Sequence, residues 1–183
     1  MHKTAHGAGQ RLEFSIPNVG GGPDQFTEAD LSSGSGMALV LLLGGHYCAL
    51  SRRKVQEMQT RLEEFQAQNV SVVAVLPDDA EQAAVWQRRY DLSFPFLADP
   101  ADDDESPTTT DTDRNAFGAF DAVAHWMPQT PGLALVDTRG DYPKVRQLYS
   151  GAHPQDCPSV ETMLDIASEP AHDAFSKPPT PAD

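Results

Sequence analysis

Residues 37–53 read Met37-Ala-Leu-Val-Leu-Leu-Leu-Gly44-Gly45-His46-Tyr47-Cys48-Ala-Leu-Ser51-Arg52-Arg53. Met37 to Leu43 is an unbroken apolar run between glycine clusters. No polar residue alternates with the apolar ones, so it reads as a central strand buried on both faces. After Gly44-Gly45 the period changes. Val55, Met58, Leu62 and Phe65 recur three and four apart with charges between them, the mark of an amphipathic helix. Asn69 is a suitable stop. Cys48 therefore stands where a buried strand gives way to a helix.

Working outward, Val70 to Leu76 is a second buried strand, and Pro77-Asp78-Asp79 supplies N-cap chemistry for a helix with Ala83, Trp86 and Tyr90 on its apolar face. Phe94 to Leu97 is a short strand closed by Asp99-Pro100. Residues 101–113 form an acidic loop, and a short helix spans about Arg114 to Phe120. Gly132 to Val136, the turn Asp137-Thr-Arg-Gly140, and Val145 to Tyr149 read as a hairpin. A last helix runs from Ser159 to Ala167, with Val160, Met163, Leu164 and Ala167 facing inward. Strands joined by helices are parallel with right-handed crossovers, and the hairpin adds an antiparallel edge. The expected fold is α/β: a mixed central sheet with helices on both faces.

The chain has 183 residues, enough for one domain with a proper core. That domain is expected over residues 11–168. Residues 1–10 and 169–183, rich in Gly, Pro, Ala, His and Asp, read as flexible tails. The net charge of -14 repels nucleic acid and anionic lipid. Asp outnumbers Glu two to one and Lys is scarce. This bias reads as halophilic, an adaptation to a salty cytoplasm of the haloarchaeal kind, where screening relieves self-repulsion. The polar N-terminus lacks the apolar segment of a signal peptide, and Met37–Leu43 is too short to span a bilayer. Two cysteines, Cys48 and Cys157, make no disulfide framework, so a cytoplasmic location is expected. The six histidines show no metal-ligand spacing, and Asp102 to Glu105 lacks an EF-hand pattern. No metal or organic cofactor is implied. Gly20-Gly21-Gly22 is not a phosphate loop, since no Lys-Ser/Thr or helix follows it.

A thiol in the first turn of a helix meets unpaired backbone N–H groups and the positive end of the helix dipole. Both favour thiolate over thiol, and Arg52 and Arg53 add positive charge nearby. Thiolate is the species that attacks peroxides and disulfides. The bland alternative is a small buried hydrophobe. His46 either raises the thiolate fraction or, as favoured here, packs as a loop residue against Tyr47. Cys157 can act as a resolving thiol only if its Cα comes within about 7 Å of that of Cys48, and is otherwise incidental.

Gly45 to Arg53 resembles the G-[HW]-W-C-P-x-C-R-R segment of peroxiredoxin-like proteins of the alkyl hydroperoxide reductase and thiol-specific antioxidant family. The likeness extends over residues 12–167. Phe14-Ser-Ile-Pro17 resembles that family's opening F-x-L-P, and Val72 to Val75 its strand before helix two. Phe94 to Asp99 resembles F-P-L-L-S-D, and Leu133 to Asp137 with Gly140 resembles F-L-I-D-x-x-G. The resemblance implies a thioredoxin-like fold and, at Thr130-Pro131, a cis-proline facing Cys48. Two departures stand out. The CxxC of this segment is CxxS here, with Ser51 at the second position. In true peroxiredoxins the pattern is TxxC, which puts the peroxidatic cysteine at Ser51 and the threonine at Cys48. The arginine usual before the late strand is absent, and Thr130-Pro131 stand there.

The function expected is a thiol-dependent antioxidant oxidoreductase acting on a peroxide or disulfide. Cys48 is its nucleophile, and Ser51, Arg52 and the helix N-terminus stabilise the thiolate. Tyr47, Thr130 and Pro131 shape the substrate site. An external thiol serves as reductant, and a homodimer is left open. The alternative is a catalytically quiet thioredoxin-fold module that binds a partner or acts as a scaffold.

Overall fold

The apolar run that begins at Met37 lies at the centre of the sheet. The computed structural model of the protein describes residues 2–4, 12–32, 36–100, 131–150 and 157–168. Its strands are β1 (His2–Thr4), β2 (Ser15–Pro17), β3 (Gln25–Thr27), β4 (Met37–Leu42), β5 (Val70–Leu76), β6 (Phe96–Ala98), β7 (Gly132–Asp137) and β8 (Lys144–Ser150). Its helices are α1 (Ala49–Thr60), α2 (Leu62–Ala67), α3 (Ala80–Tyr90) and α4 (Val160–Ser168), with a 3-10 turn at Asp30–Ser32. One sheet has the order β1-β8-β7-β4-β5-β6, and β2 pairs with β3 in a separate hairpin. The β4–β5 and β5–β6 pairs are parallel, while β4–β7 and β7–β8 are antiparallel. This is the expected mixed α/β sheet.

Period two along the strands divides the core. Leu39, Leu41, Leu43, Val72, Ala74, Leu76, Leu133 and Leu135 meet the helices on one face, where Val55, Met58 and Phe65 have no exposed surface. Ala38, Val40, Leu42, Val73, Val75, Ala134 and Val136 face the other way. There they meet Leu12, Phe14, Ile16, Phe26 and Leu31 of the N-terminal hairpin region and the 3-10 turn. The helix expected from the 55–65 periodicity is broken once, at Arg61, into α1 and α2, but its apolar stripe runs through both. Asn69 takes the left-handed conformation, φ 59°, and ends the helical segment as its sequence position suggests.

Three features depart from or add to the sequence reading. Residues 2–4, inside the stretch read as a flexible tail, form edge strand β1, with Lys3 opposite Tyr149. Edge pairing uses only main-chain donors and acceptors, so composition carried no sign of it. The β2–β3 hairpin was not anticipated either, being only three residues a side. The glycine run at 20–22 belongs to a segment laid along the β6 edge. Asn18 Oδ1 accepts from the N–H of Gly20 and of Phe96, each at 2.9 Å, and a Cβ on Gly20 would stand 2.2 Å from the Phe94 carbonyl oxygen. The acidic loop and the short helix near Arg114 lie outside the described residues, as does the C-terminal stretch read as a tail.

Candidate active site

β4 delivers the chain to the end of the sheet, and Gly44 to Tyr47 turn it into α1. Cys48 is the N-cap of α1, in extended conformation, and its Sγ accepts a hydrogen bond from the Ser51 N–H at 3.4 Å. Its own N–H donates to the Gly45 carbonyl, and its carbonyl accepts from the Arg52 N–H, each at 3.1 Å. A sulfur in this position does what a Ser or Asp does at most helix starts: it satisfies an otherwise unpaired donor. That bond strengthens as the sulfur gains negative charge.

Ser51 is completely buried, and its Oγ accepts the Gly44 N–H at 3.0 Å. It therefore reaches the sulfur through its backbone, while its hydroxyl closes the loop that precedes the helix. Cys48 is half-buried and keeps some surface. Of the two positions one turn apart, only the first is open to a reactant. Arg52 is half-buried on the same turn, and among the described residues no hydrogen bond or ion pair engages its side chain.

Gly44 separates the sulfur from Pro131. A Cβ placed on it would lie 3.3 Å from Pro131 Cδ and 3.6 Å from Cys48 Sγ. The buried Pro131 ring and the thiol thus flank one backbone point, which places Pro131 beside Cys48 as the resemblance implies. Thr130, and with it the geometry expected of the Thr130–Pro131 bond, lies outside the described residues. Tyr47 is 70% exposed. Its ring lies against Gly45, which has φ +87° and leaves no room for a side chain: a Cβ there would be 2.9 Å from Tyr47 Cε1.

His46 packs edge-on against Tyr47, with ring centroids 5.7 Å apart, as expected. It also binds Asp78. The His46 N–H donates to Asp78 Oδ2, and Nδ1 lies 2.7 Å from Asp78 Oδ1. The sequence offered Asp78 and Asp79 together as cap residues. In the fold they divide: Asp79 caps α3 by accepting the Gln82 N–H at 2.8 Å, and Asp78 holds the loop before Cys48. Nothing in the local pattern distinguishes them, because the partner lies in another crossover.

Cys157 comes nearer to this region than its sequence position suggested. With Leu50, Lys54, Pro131 and Ser159 it lines a groove of about 240 Å³ on α1. Lys54 Nζ donates to the carbonyls of Cys157 and Pro158, fastening the segment before α4 to α1. Burial pushes the Cys157 thiol up; the Lys54 ammonium opposes this, and Cys48 adds to the rise. A larger cavity of about 370 Å³, lined by Phe26, Leu31, Val70, Val72 and Phe94, lies at the start of β5, the opposite end of that strand from Asp78. No group of three or more metal-ligating side chains comes together among the described residues, and no described helix is long and apolar enough to cross a membrane.

Comparison with known proteins fits this geometry. The AhpC/TSA family model matches residues 9–142. Among solved structures, the chain is similar to the peroxidoxin BcpB of Mycobacterium tuberculosis, with TM-score 0.63 and 16% identity, covering 90% of this chain and 95% of that one. It is similar to Enterococcus faecalis AhpC, with TM-score 0.63 and 13% identity over 88% and 90% of the two chains. It is also similar to the reduced 2-Cys peroxiredoxin of Plasmodium vivax, with TM-score 0.60 and 14% identity over 90% and 94%. At these identities the likeness is one of fold. No curated protein matches the chain.

Proposed function

The chain belongs to the AhpC/TSA family, and from that premise we propose that it is a thiol-dependent peroxidase whose nucleophile is Cys48. One observation carries the reading: Cys48 Sγ, among the described residues the only sulfur that caps a helix, accepts a backbone N–H, keeps some exposed surface, and has Pro131 beside it. The thiolate attacks one oxygen of the peroxide, the O–O bond breaks, and the departing alkoxide takes a proton. Cys48 is left as a sulfenic acid. An external thiol then attacks the sulfur, water leaves, and a second thiol equivalent releases the mixed disulfide. Arg52, on the first turn, adds positive charge while the thiolate forms. Tyr47 and Pro131 bound the approach. A disulfide substrate would enter by the same attack on sulfur.

The second reading is a quiet binding module. Ser51 favours it, since it fills the family's peroxidatic position and is sealed against Gly44. Trapping with a sulfenic-acid reagent after stoichiometric hydrogen peroxide separates the two. The peroxidase reading expects the adduct on Cys48; the quiet module expects an unmodified chain. The charge of -14 goes with a protein working in a salty cytoplasm, where screening tolerates such self-repulsion.

A further inference from the structure

Asp78 sits at the end of β5 and touches the Cys48 loop through a single residue, His46. The two contacts are of different kinds. One carboxylate oxygen accepts the His46 backbone N–H, and the other lies 2.7 Å from ring Nδ1. A carboxylate only accepts, so Nδ1 carries the proton and Nε2 is the free nitrogen of the neutral ring. The loop held in this way is short and constrained. Gly45 is left-handed, and its carbonyl accepts the Cys48 N–H. Ser51 fixes the loop at Gly44, and Asp78 fixes it at His46. Without Asp78, the residues between Gly45 and Cys48 keep no tie to the sheet among the bonds described above.

We propose that Asp78 is a positioning residue for Cys48: by binding both the main chain and the ring of His46, it holds the turn that presents the sulfur at the helix N-terminus. This rests on Cys48 being the nucleophile. Among the described residues, the groups facing His46 are the Asp78 carboxylate, from the turn between β5 and α3, and the Tyr47 ring, from its own loop. Asp79, next in that turn, is committed to the α3 cap.

The test compares Asp78→Ala and Asp78→Asn with the wild-type chain, reading iodoacetamide modification of the Cys48 peptide by mass spectrometry. Each rate is taken as a ratio to wild type at the same pH. Alanine removes both contacts. Asparagine keeps an acceptor for the His46 N–H, and its amide can donate to Nδ1 of a neutral imidazole. It cannot face an imidazolium, whose two nitrogens both donate. Asp78→Ala is therefore expected to slow modification about tenfold throughout, the scale of one lost charge-assisted hydrogen bond. Asp78→Asn is expected to match wild type at the alkaline end of a pH series, where an imidazole is neutral, and to fall about tenfold behind at the acid end, where it is protonated.

A role confined to fold stability would not produce that split. If Asp78→Ala unfolds, the asparagine variant decides alone. An Asp78→Asn ratio that does not change with pH overturns the proposal, as does a folded Asp78→Ala within about twofold of wild type. Because iodoacetamide needs no peroxide chemistry, a wild-type Cys48 that alkylates but resists peroxide would sink the peroxidase reading and leave this one standing.

Discussion

The two cysteines occupy opposite kinds of place, Cys48 at the start of α1 and Cys157 in the groove along it. Cys48 caps a helix, takes a backbone N–H on its sulfur and keeps surface. Cys157 precedes a helix without capping it, and its burial pushes the thiol up. Its neighbour Lys54 spends its ammonium on the carbonyls of Cys157 and Pro158 rather than on an anion. Nearness to a cation is thus not the same as a donor aimed at the sulfur, which only Cys48 of the two has among the bonds of the described residues.

The largest effect that could break this contrast is loss of either sulfur. Cys48→Ser should lower peroxide turnover roughly a thousandfold or more, the scale on which enzymes lose a nucleophile. Cys157→Ser should leave the first oxidation step within about twofold. Steady-state peroxide consumption with an excess thiol reductant reads both, and the reverse ranking would move the site to Cys157.

Ser51 sharpens the contrast from the other side. Its N–H already reaches Cys48 Sγ, so Ser51→Cys puts two sulfurs in one helical turn. Peroxide-treated variant should lose two hydrogens as an internal disulfide forms. The wild type should stop at a sulfenic acid or a mixed disulfide. Ser51→Ala should instead cost about 1–3 kcal/mol, because the Gly44 N–H is left without its buried acceptor. A denaturant titration with unchanged m-value would show it.

Much of this was legible beforehand. The run from Met37 to Cys48 marked the central strand, the turn and the helix start, because a buried strand and a helix start each impose a local pattern. The unread features are those with a distant partner. Asp78 looked like its neighbour Asp79, and the difference is made by His46, 32 positions away. Cys157 looked remote, and Lys54, 103 positions away, brings its segment to α1. Strand β1 holds by main-chain bonds, which side-chain patterns do not record, and the Asn18 side chain accepts from Phe96, 78 positions away.

Lys54 offers a smaller test. Its charge opposes the upward shift of Cys157, so Lys54→Met should move that thiol further up. Alkylation of Cys157 near about pH 8 should slow about threefold, less than one pKa unit's worth. Burial also raises the Cys157 thiol in the fold above its unfolded value. Its contribution to stability is therefore present below about pH 8.5 and lost as pH rises beyond it. Thermal melts of wild type and Cys157→Ser between about pH 7 and 10 should diverge in that direction.

Salt has the least effect on the contrast, since it acts on the whole charge of -14. Going from low to about molar salt should raise the melting temperature by several degrees as repulsion is screened. The ratio of the two alkylation rates should hardly change. An unchanged melting temperature would remove the halophilic reading.

The central claim is that Cys48 is the sulfur that meets peroxide. Its most direct test is a short exposure of the reduced full-length chain to one equivalent of hydrogen peroxide with a sulfenic-acid trap present, followed by peptide mass spectrometry. The account predicts the trap on the Cys48 peptide, with the Cys157 peptide unmodified. A trap found first on Cys157, or a Cys48 peptide still reduced under excess peroxide, would contradict it.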